Sequence, residues 1–553
     1  MRVEPGSSPI SEFNRTSKPF PLLEIAVDRF EQLGHRVDSA LASKPWLSSF
    51  GLAMLFLACT SVRAFRRPLW ADEILTRYVA GLPSLGAINK ALALHTESSP
   101  PLFHLVTKLS CIALGWNQLG LRFPAIAGYL AMILCVYFIV NRYAGPLYAA
   151  IGALCTYLTN VPFYATEARP YGALLGLSCI ALVCWQLAAR RQVRWLALTG
   201  LWISLAMTLG MQYYAVLSFV AIGAGELVRT WRTRHIDWPV WAALGFATAP
   251  LPLLLPLIRS NLVLRTGYFA PATISRFIDG FAQTYMHMDG LLFAALAILA
   301  GACIVIFSGR EAPPDCPFET PPIHEVVAWL ALLLAPVEVF LMGRFATGAF
   351  VPRYAIVTAI GFSILLPMSL HRLFRGSRGA ALLVLLFLGL CFGKWCTHGS
   401  KRDDLTAELA PWIRELDRSR LPVVVAEPLT YLPLAYSADE QLREALVYIP
   451  DPHEALRYRG VNSAEYNLIG LRGIAPFNLP TYSDFTGSHQ QFLVLWEASP
   501  NGWIVPKLRD AGAELRFCAA SGPRVLFLVN LPITGILSGA KPNMAEMACS
   551  EKK

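Results

Sequence analysis

Pro100-Pro101-Leu102-Phe103-His104-Leu105-Val106-Thr107-Lys108-Leu109-Ser110-Cys111-Ile112-Ala113-Leu114-Gly115-Trp116 is the stretch on which the topology of the whole chain turns. It is apolar but short, it opens on two prolines, and it carries His104 and Lys108. Suppose the N-terminus is cytosolic and this stretch does not cross a membrane. Then Arg142, the Arg190/Arg191/Arg194 cluster, Arg229/Arg232/Arg234 and Arg372/Arg375/Arg378 all fall on the cytosolic side. If it crosses, every one of those clusters lands outside. Basic residues concentrate in cytoplasmic loops, so the stretch is read as a helix lying at or dipping into the outer face.

Around it, a sliding apolar reading places about eleven spans. They run near 45–64, 122–141, 145–164, 170–189, 194–210, 212–228, 239–259, 290–308, 325–343, 351–370 and 379–397. The composition demands such an architecture. Of 553 residues, 55% are hydrophobic and only 15% charged, against roughly 25% charged in soluble domains. The chain is therefore a polytopic α-helical membrane protein. Its net charge of +10 sits in short loops between apolar runs, which argues against nucleic acid as a partner. The 12 cysteines are scattered, with no paired CxxC spacing, and read mostly as small buried hydrophobes.

Residues 1–44 form a cytosolic N-terminal segment without a cleavable signal peptide. Leu22 to Val37 has helical periodicity, which fits either a short amphipathic surface helix or a loosely ordered leader. Residues 45–399 form the membrane domain, with a first outer loop at about 65–121. From 400 to 535 charge density rises. Strand-like runs appear at Pro422–Ala426, Ala445–Ile449, Phe492–Trp496 and Arg524–Val529, with a helix at Trp503–Gly512. This predicts a small α/β domain on the outer face, followed by a disordered tail at 536–553.

The same topology gathers unusual polar groups on one membrane face. Asp72 and Glu73 follow the first span, in Trp70-Ala71-Asp72-Glu73. Two adjacent carboxylates beside a membrane are costly unless they face water, pair, or do chemistry. One plain explanation is a helix start in which Glu73 pairs with Arg77 at i,i+4. The other is that a carboxylate serves as a general base. Glu97 lies upstream of Pro100 and Pro101, a rigid pair suited to fixing a loop over a cavity. Glu167-Ala168-Arg169-Pro170-Tyr171 joins two spans. Either Glu167 and Arg169 sit at the interface and solvate the helix ends, with Tyr171 in the aromatic belt, or Arg169 binds a phosphate through the paired hydrogen bonds of its guanidinium and Glu167 is a second active-site carboxylate. Arg344 and Val351-Pro352-Arg353-Tyr354 break the basic-inside trend, which favours an anionic ligand there. Walker, HExxH and paired-cysteine zinc patterns are absent, as is a nucleotide-sugar DxD triad.

Taken in order, these elements resemble a GT-C glycosyltransferase, of the bacterial branch similar to protein O-mannosyltransferases and aminoarabinose transferases. They are the Asp-Glu pair, the Pro-Pro-Leu helix, Leu121-Arg122-Phe123-Pro124, the Glu-Ala-Arg-Pro-Tyr cluster and the late Arg353-Tyr354. The resemblance implies a multi-pass protein of the bacterial inner membrane with a soluble extracytoplasmic domain. It implies sugar transfer, with inversion, from a polyprenyl-phosphate donor to a lipid, glycan or protein acceptor. On the matching positions Asp72 would be the base, with Glu73 supporting it or helping hold a metal. Arg169 and Arg353 would bind the phosphate, and Glu167 takes a place where relatives carry a polar residue, often Asp. Relatives often carry His just before the Pro-Pro pair, where this chain has Ser99. Some such enzymes use a divalent cation and others do not, so the resemblance leaves a metal open. Two other readings compete: a transporter or flippase for a lipid-linked sugar, and an inactive scaffold. The first would not need an outer carboxylate pair and would more often place charge near mid-membrane, where Glu338 is the main exception.

Overall fold

A computed structural model describes residues 21–285, 320–397, 421–497 and 502–532. The span expected at 290–308 and the tail at 536–553 lie outside them.

The chain opens on α1 (Pro21–Ser43) and α2 (Pro45–Arg66). The first outer loop carries α3 (Ala71–Ala80), α4 (Leu85–Ala93) and α5 (Pro101–Leu114). Then come α6 (Gln118–Ala144), α7 (Pro146–Leu154), α8 (Tyr171–Ala189), α9 (Arg194–Met211), α10 (Val216–Thr233), α11 (Trp238–Phe246), α12 (Leu251–Asn261) and α13 (Ile274–Tyr285). The later membrane helices are α14 (Ile323–Leu333), α15 (Ala335–Met342), α16 (Thr358–Leu373) and α17 (Arg378–Thr397).

Among the described residues five helices, α2, α6, α8, α9 and α17, are each long and apolar enough to cross a membrane. The bent pairs α11–α12 (46°) and α14–α15 (52°) raise this to seven if each pair is one span. The chain is a multi-pass membrane protein. Among the described residues, the remaining expected spans are shorter or more polar helices. The one read at 145–164 ends as a helix at Leu154 and continues as tight turns at Cys155–Leu158 and Val161–Thr166. Helix α5 has 14 residues, about 21 Å at 1.5 Å per residue, against a hydrocarbon core of roughly 30 Å. Its N-terminal prolines cost nothing there, because the first N–H groups of a helix lack intrahelical partners anyway.

The helices α6 and α8 approach through glycine. A Cβ on Gly128 would lie 2.3 Å from the Gly172 carbonyl oxygen, and one on Gly176 would lie 2.2 Å from that of Gly128. Small residues permit such backbone contact within a membrane, where packing rather than water expulsion holds helices together. Helix α1 is neither loose nor free on a surface. Its Glu31 accepts from the Arg378 and Gly379 N–H groups at 2.9 Å each, and Asp38 accepts from Arg378 Nε at 2.9 Å. A carboxylate from α1 thus caps the N-terminus of α17.

The C-terminal domain holds β1 (Val423–Val425), α18 (Pro428–Ser437), α19 (Glu440–Ala445), β2 (Leu446–Val447), α20 (Pro452–Arg459), α21 (Ser463–Leu471), α22 (Tyr482–Ser488), β3 (Gln491–Glu497), α23 (Ile504–Asp510), β4 (Glu514–Ser521) and β5 (Arg524–Asn530). The sheet order is β2-β1-β3-β5-β4, with β1 parallel to β2 and β3, and β5 antiparallel to β3 and β4. Strand β4 was not expected. Alternate residues serve opposite faces. Val424, Val494 and Val529 pack with Trp503 and Leu508 on one side. Val423, Val425, Leu493 and Leu495 pack on the other, in a core that also contains Leu69, Ile74 and Leu75 of the first outer loop. The soluble domain and that loop therefore share one apolar core, and this fixes what lies beneath it.

Candidate active site

The site is built in two layers around α3. The inner layer centres on Glu73, which has no exposed surface. Arg122, near the start of α6, meets it with Nε–Oε1 at 2.7 Å and Nη2–Oε2 at 2.6 Å. The same guanidinium donates to the Arg67 and Pro68 carbonyls at 2.7 and 3.0 Å. The Ala168 N–H donates to Oε1 at 2.7 Å, and Arg67 Nη2 lies 3.4 Å away. Burial pushes the Glu73 carboxyl up, but Arg122, Arg67 and the Ala168 N–H outweigh it and hold it below the ordinary carboxylate range. Glu73 is thus a fastener between α3, the end of α2, the start of α6 and the linker before α8. The expected roles in base catalysis or metal binding do not fit this geometry, because both oxygens are engaged and no solvent reaches them. Nor does Glu73 pair with Arg77, which donates to the Trp116 carbonyl at 3.2 Å and lies over the Trp116 and Tyr436 rings.

Glu167 is buried behind this layer. Burial, with the nearby Glu73 and Asp72 charges, pushes its carboxyl up to about 7, against the pull of Arg67 and Arg353.

The outer layer contains Asp72. One residue along a helix turns the side chain by about 100°, so Asp72 points away from the Glu73 fastening and keeps 21% side-chain exposure. Its Oδ2 lies 3.6 Å from Arg353 Nη1 and 4.0 Å from Arg169 Nε. Arg169 in turn donates to Glu97 Oε1 at 2.5 Å. Glu97 also accepts from Ser99 Oγ at 2.8 Å and Thr76 Oγ1 at 3.2 Å, and His104 Nε2 lies 3.3 Å from Oε2. Burial holds the His104 imidazole below its usual range, the Glu97 charge notwithstanding. Three carboxylates and two arginines expected from the sequence, Asp72, Glu97, Glu167, Arg169 and Arg353, are thus brought together from distant places.

Beside them lies a cavity of about 290 Å³. Arg169, Tyr171 and Tyr354 line it, together with Ser98, Ser99, Arg265 and Tyr268. Tyr354 stacks on Tyr214 at 4.4 Å, its hydroxyl meets that of Tyr268, and Arg353 lies 5.9 Å over the Tyr171 ring. Pro100 and Pro101 do not line the cavity; they start α5 and so aim the Glu97–Ser99 loop. Arg344 is a correction. It is exposed on the Gly343–Thr347 turn and is not a lining residue, and Arg265 stands at the cavity in its place. Gly348, in a left-handed conformation with φ 74°, gives Arg265 room: a Cβ there would meet its Cγ at 2.6 Å. Arg122 and His104 were quoted in the sequence reading but given no role, and Arg265 was missed. Only the Leu-Arg-Phe-Pro motif signalled any of the three.

Among the described residues no group of three or more His, Cys, Asp and Glu side chains is placed to hold a metal ion.

Residues 98–256, less than a third of the chain, match the model of the dolichyl-phosphate-mannose-protein mannosyltransferase family. No curated protein matches the chain. The structure resembles that of ArnT from Cupriavidus metallidurans in the apo state, with a TM-score of 0.52 at 12% identity over 88% of this chain and 98% of that one. The same enzyme bound to undecaprenyl phosphate gives 0.48 at 14% identity over the same shares. The Archaeoglobus fulgidus oligosaccharyltransferase in complex with Zn and sulfate gives 0.43 at 12% identity, over 81% of this chain and 68% of that one. The chain thus carries a segment similar to the dolichyl-phosphate-mannose-protein mannosyltransferase family within a multi-pass membrane fold that resembles that of ArnT.

Proposed function

We propose that the chain transfers a sugar from a polyprenyl-phosphate carrier to an acceptor hydroxyl at the outer face of the inner membrane, with inversion. The observation that carries this is the seating of Asp72 between Arg169 and Arg353 beside the tyrosine-lined cavity. The family description supplies the donor class, a sugar on a polyprenyl phosphate.

The arrangement suits an exchange of partners. The two arginines face Asp72. A donor phosphate entering beside them competes for the same N–H groups, and a guanidinium fork matches its oxygens. Asp72 is then released from its ion pairs as the donor binds. The acceptor hydroxyl gives its proton to the Asp72 carboxylate while its oxygen bonds to the anomeric carbon. On the opposite side the bond from that carbon to the phosphate oxygen breaks. The electron pair leaves with the polyprenyl phosphate, whose added charge Arg169 and Arg353 stabilise. Attack and departure on opposite sides give inversion. Arg265 adds a further cation among the lining residues, and the tyrosines offer faces for the sugar ring.

The test uses membranes carrying the full-length protein and a panel of radiolabelled polyprenyl-phosphate hexoses and pentoses. Wild type is expected to move label into an acceptor fraction. Asp72→Asn, equally expressed, is expected to lose about 10²–10⁴-fold in rate. Transfer undiminished in Asp72→Asn would move the base elsewhere, with Glu167 next. Label that only redistributes across the bilayer would sink the transferase reading.

A further inference from the structure

We infer that α21 of the soluble domain positions the mouth of this site, with Asn467 as the positioning residue for the loop that carries Glu97. The inference rests on the reading of the cavity as the donor site.

The Asn467 amide donates to two consecutive backbone carbonyls, His95 at 2.7 Å and Thr96 at 3.2 Å. These are the two residues before Glu97. His95 is held in a left-handed conformation with φ 61°, which a non-glycine residue adopts only where its surroundings impose it. The imposing groups are visible. The Tyr466 ring meets the His95 ring edge-on at 5.7 Å, and His95 Nδ1 lies 3.4 Å from Asn261 Oδ1. One turn on, Gly470 lets α21 close on the loop: a Cβ there would stand 2.2 Å from Thr96 Oγ1 and 2.8 Å from the Thr96 backbone. Just before α21, the Asn462 N–H donates to the Gly267 carbonyl at 3.0 Å. Gly267 adjoins Tyr268, which lines the cavity. One short helix and its cap therefore hold both the Glu97 loop and the segment that leads into Tyr268.

The chemical consequence runs through Glu97. This carboxylate orients Arg169, and Arg169 faces Asp72. The loop's backbone is tied to α21, so a shift in that tie moves Glu97 and with it the guanidinium that would meet the donor phosphate. A displacement of about 1 Å in such a support can cost about 10²-fold in rate.

The test uses the full-length protein in proteoliposomes with the donor panel above. Asn467→Ala, Asn467→Asp and Gly470→Ala are compared with Arg516→Ala, on the exposed edge strand β4. Asn467→Asp keeps the shape but loses the donor. All three α21 variants are expected to lose about 10- to 100-fold in kcat with the acceptor KM unchanged, and Arg516→Ala to match wild type. Amide exchange over residues 94–99, measured without substrate, is expected to quicken in Asn467→Asp, with β1 and β3 unaltered. Wild-type turnover in the three variants, or unaltered exchange over 94–99, overturns the inference. Quickened exchange in a protein that transfers from no donor would instead sink the donor-site reading and leave the α21 grip standing.

Discussion

Arg122 binds Glu73 through two hydrogen bonds and the Arg67 and Pro68 carbonyls through two more, and it does not line the cavity. Its removal should therefore act on folding before chemistry. Breaking a buried ion pair leaves an uncompensated charge and costs about 3–5 kcal/mol. Arg122→Ala should lower the thermal midpoint of the detergent-solubilised protein by an amount on that scale. Pairing it with Glu73→Gln should recover part of the loss, since the orphaned charge is then gone. A single variant as stable as wild type would refute the fastening role. The sequence showed Asp72 and Glu73 as an adjacent pair but could not separate their duties. That separation depends on which way α3 is turned, and the turn is fixed by a partner 49 residues away in sequence. Arg265 was illegible for a similar reason, because its place at the cavity depends on the left-handed turn at Gly348.

Among the elements, α5 decides the topology, and its length supports the non-crossing reading. Single cysteines at Ser84 and Asn117, which flank α4 and α5, placed in a background free of native cysteines, should both react with a membrane-impermeant maleimide from outside. Reaction at one end only would mean that the stretch crosses. Long apolar helices were legible because their composition leaves few alternatives to a membrane. The broken region after α7 was not, since the turns at Cys155–Leu158 and Val161–Thr166 are stabilised by local bonds such as Thr159 Oγ1 to the Thr156 carbonyl at 2.6 Å. Strand β4 was hidden by its edge position: Glu514, Arg516 and an exposed Phe517 give no clean apolar alternation. Helix α1 showed its periodicity, but what it packs against could not be read from so distant a stretch as 377–379.

At the scale of the whole molecule, three buried carboxyls among the described residues, Glu167, Glu427 and Glu465, are each pushed up to about 7 chiefly by burial. In the folded state each keeps its proton at pH values where the unfolded chain, near 4.5, has lost it. Each therefore destabilises the protein as pH rises from about 4.5 to 7, by up to about 3 kcal/mol. His104, lowered by burial, opposes this below about 6.5. Glu465→Gln should flatten the fall in thermal midpoint between pH 5 and pH 8, and the variant should be more stable than wild type at pH 8. An identical pH profile would show that Glu465 does not keep its proton in the fold. The overall plan, a membrane bundle with a sheet domain beyond it, was legible from composition and alternation. The shared core between that domain and α3 was not, because it joins residues some 350 positions apart.

The fastening at Glu73 also sets an order of assembly during synthesis. Glu73 leaves the ribosome long before Ala168, the last of its partners, 95 residues later. Until then its carboxylate has no place to be buried, and the first outer loop must remain open to water. Asn467 arrives later still, 371 residues after Thr96. A nascent chain that has made all the described membrane helices thus still has an unset mouth, and the site is finished only when the C-terminal sheet domain settles onto the α3–α5 loop.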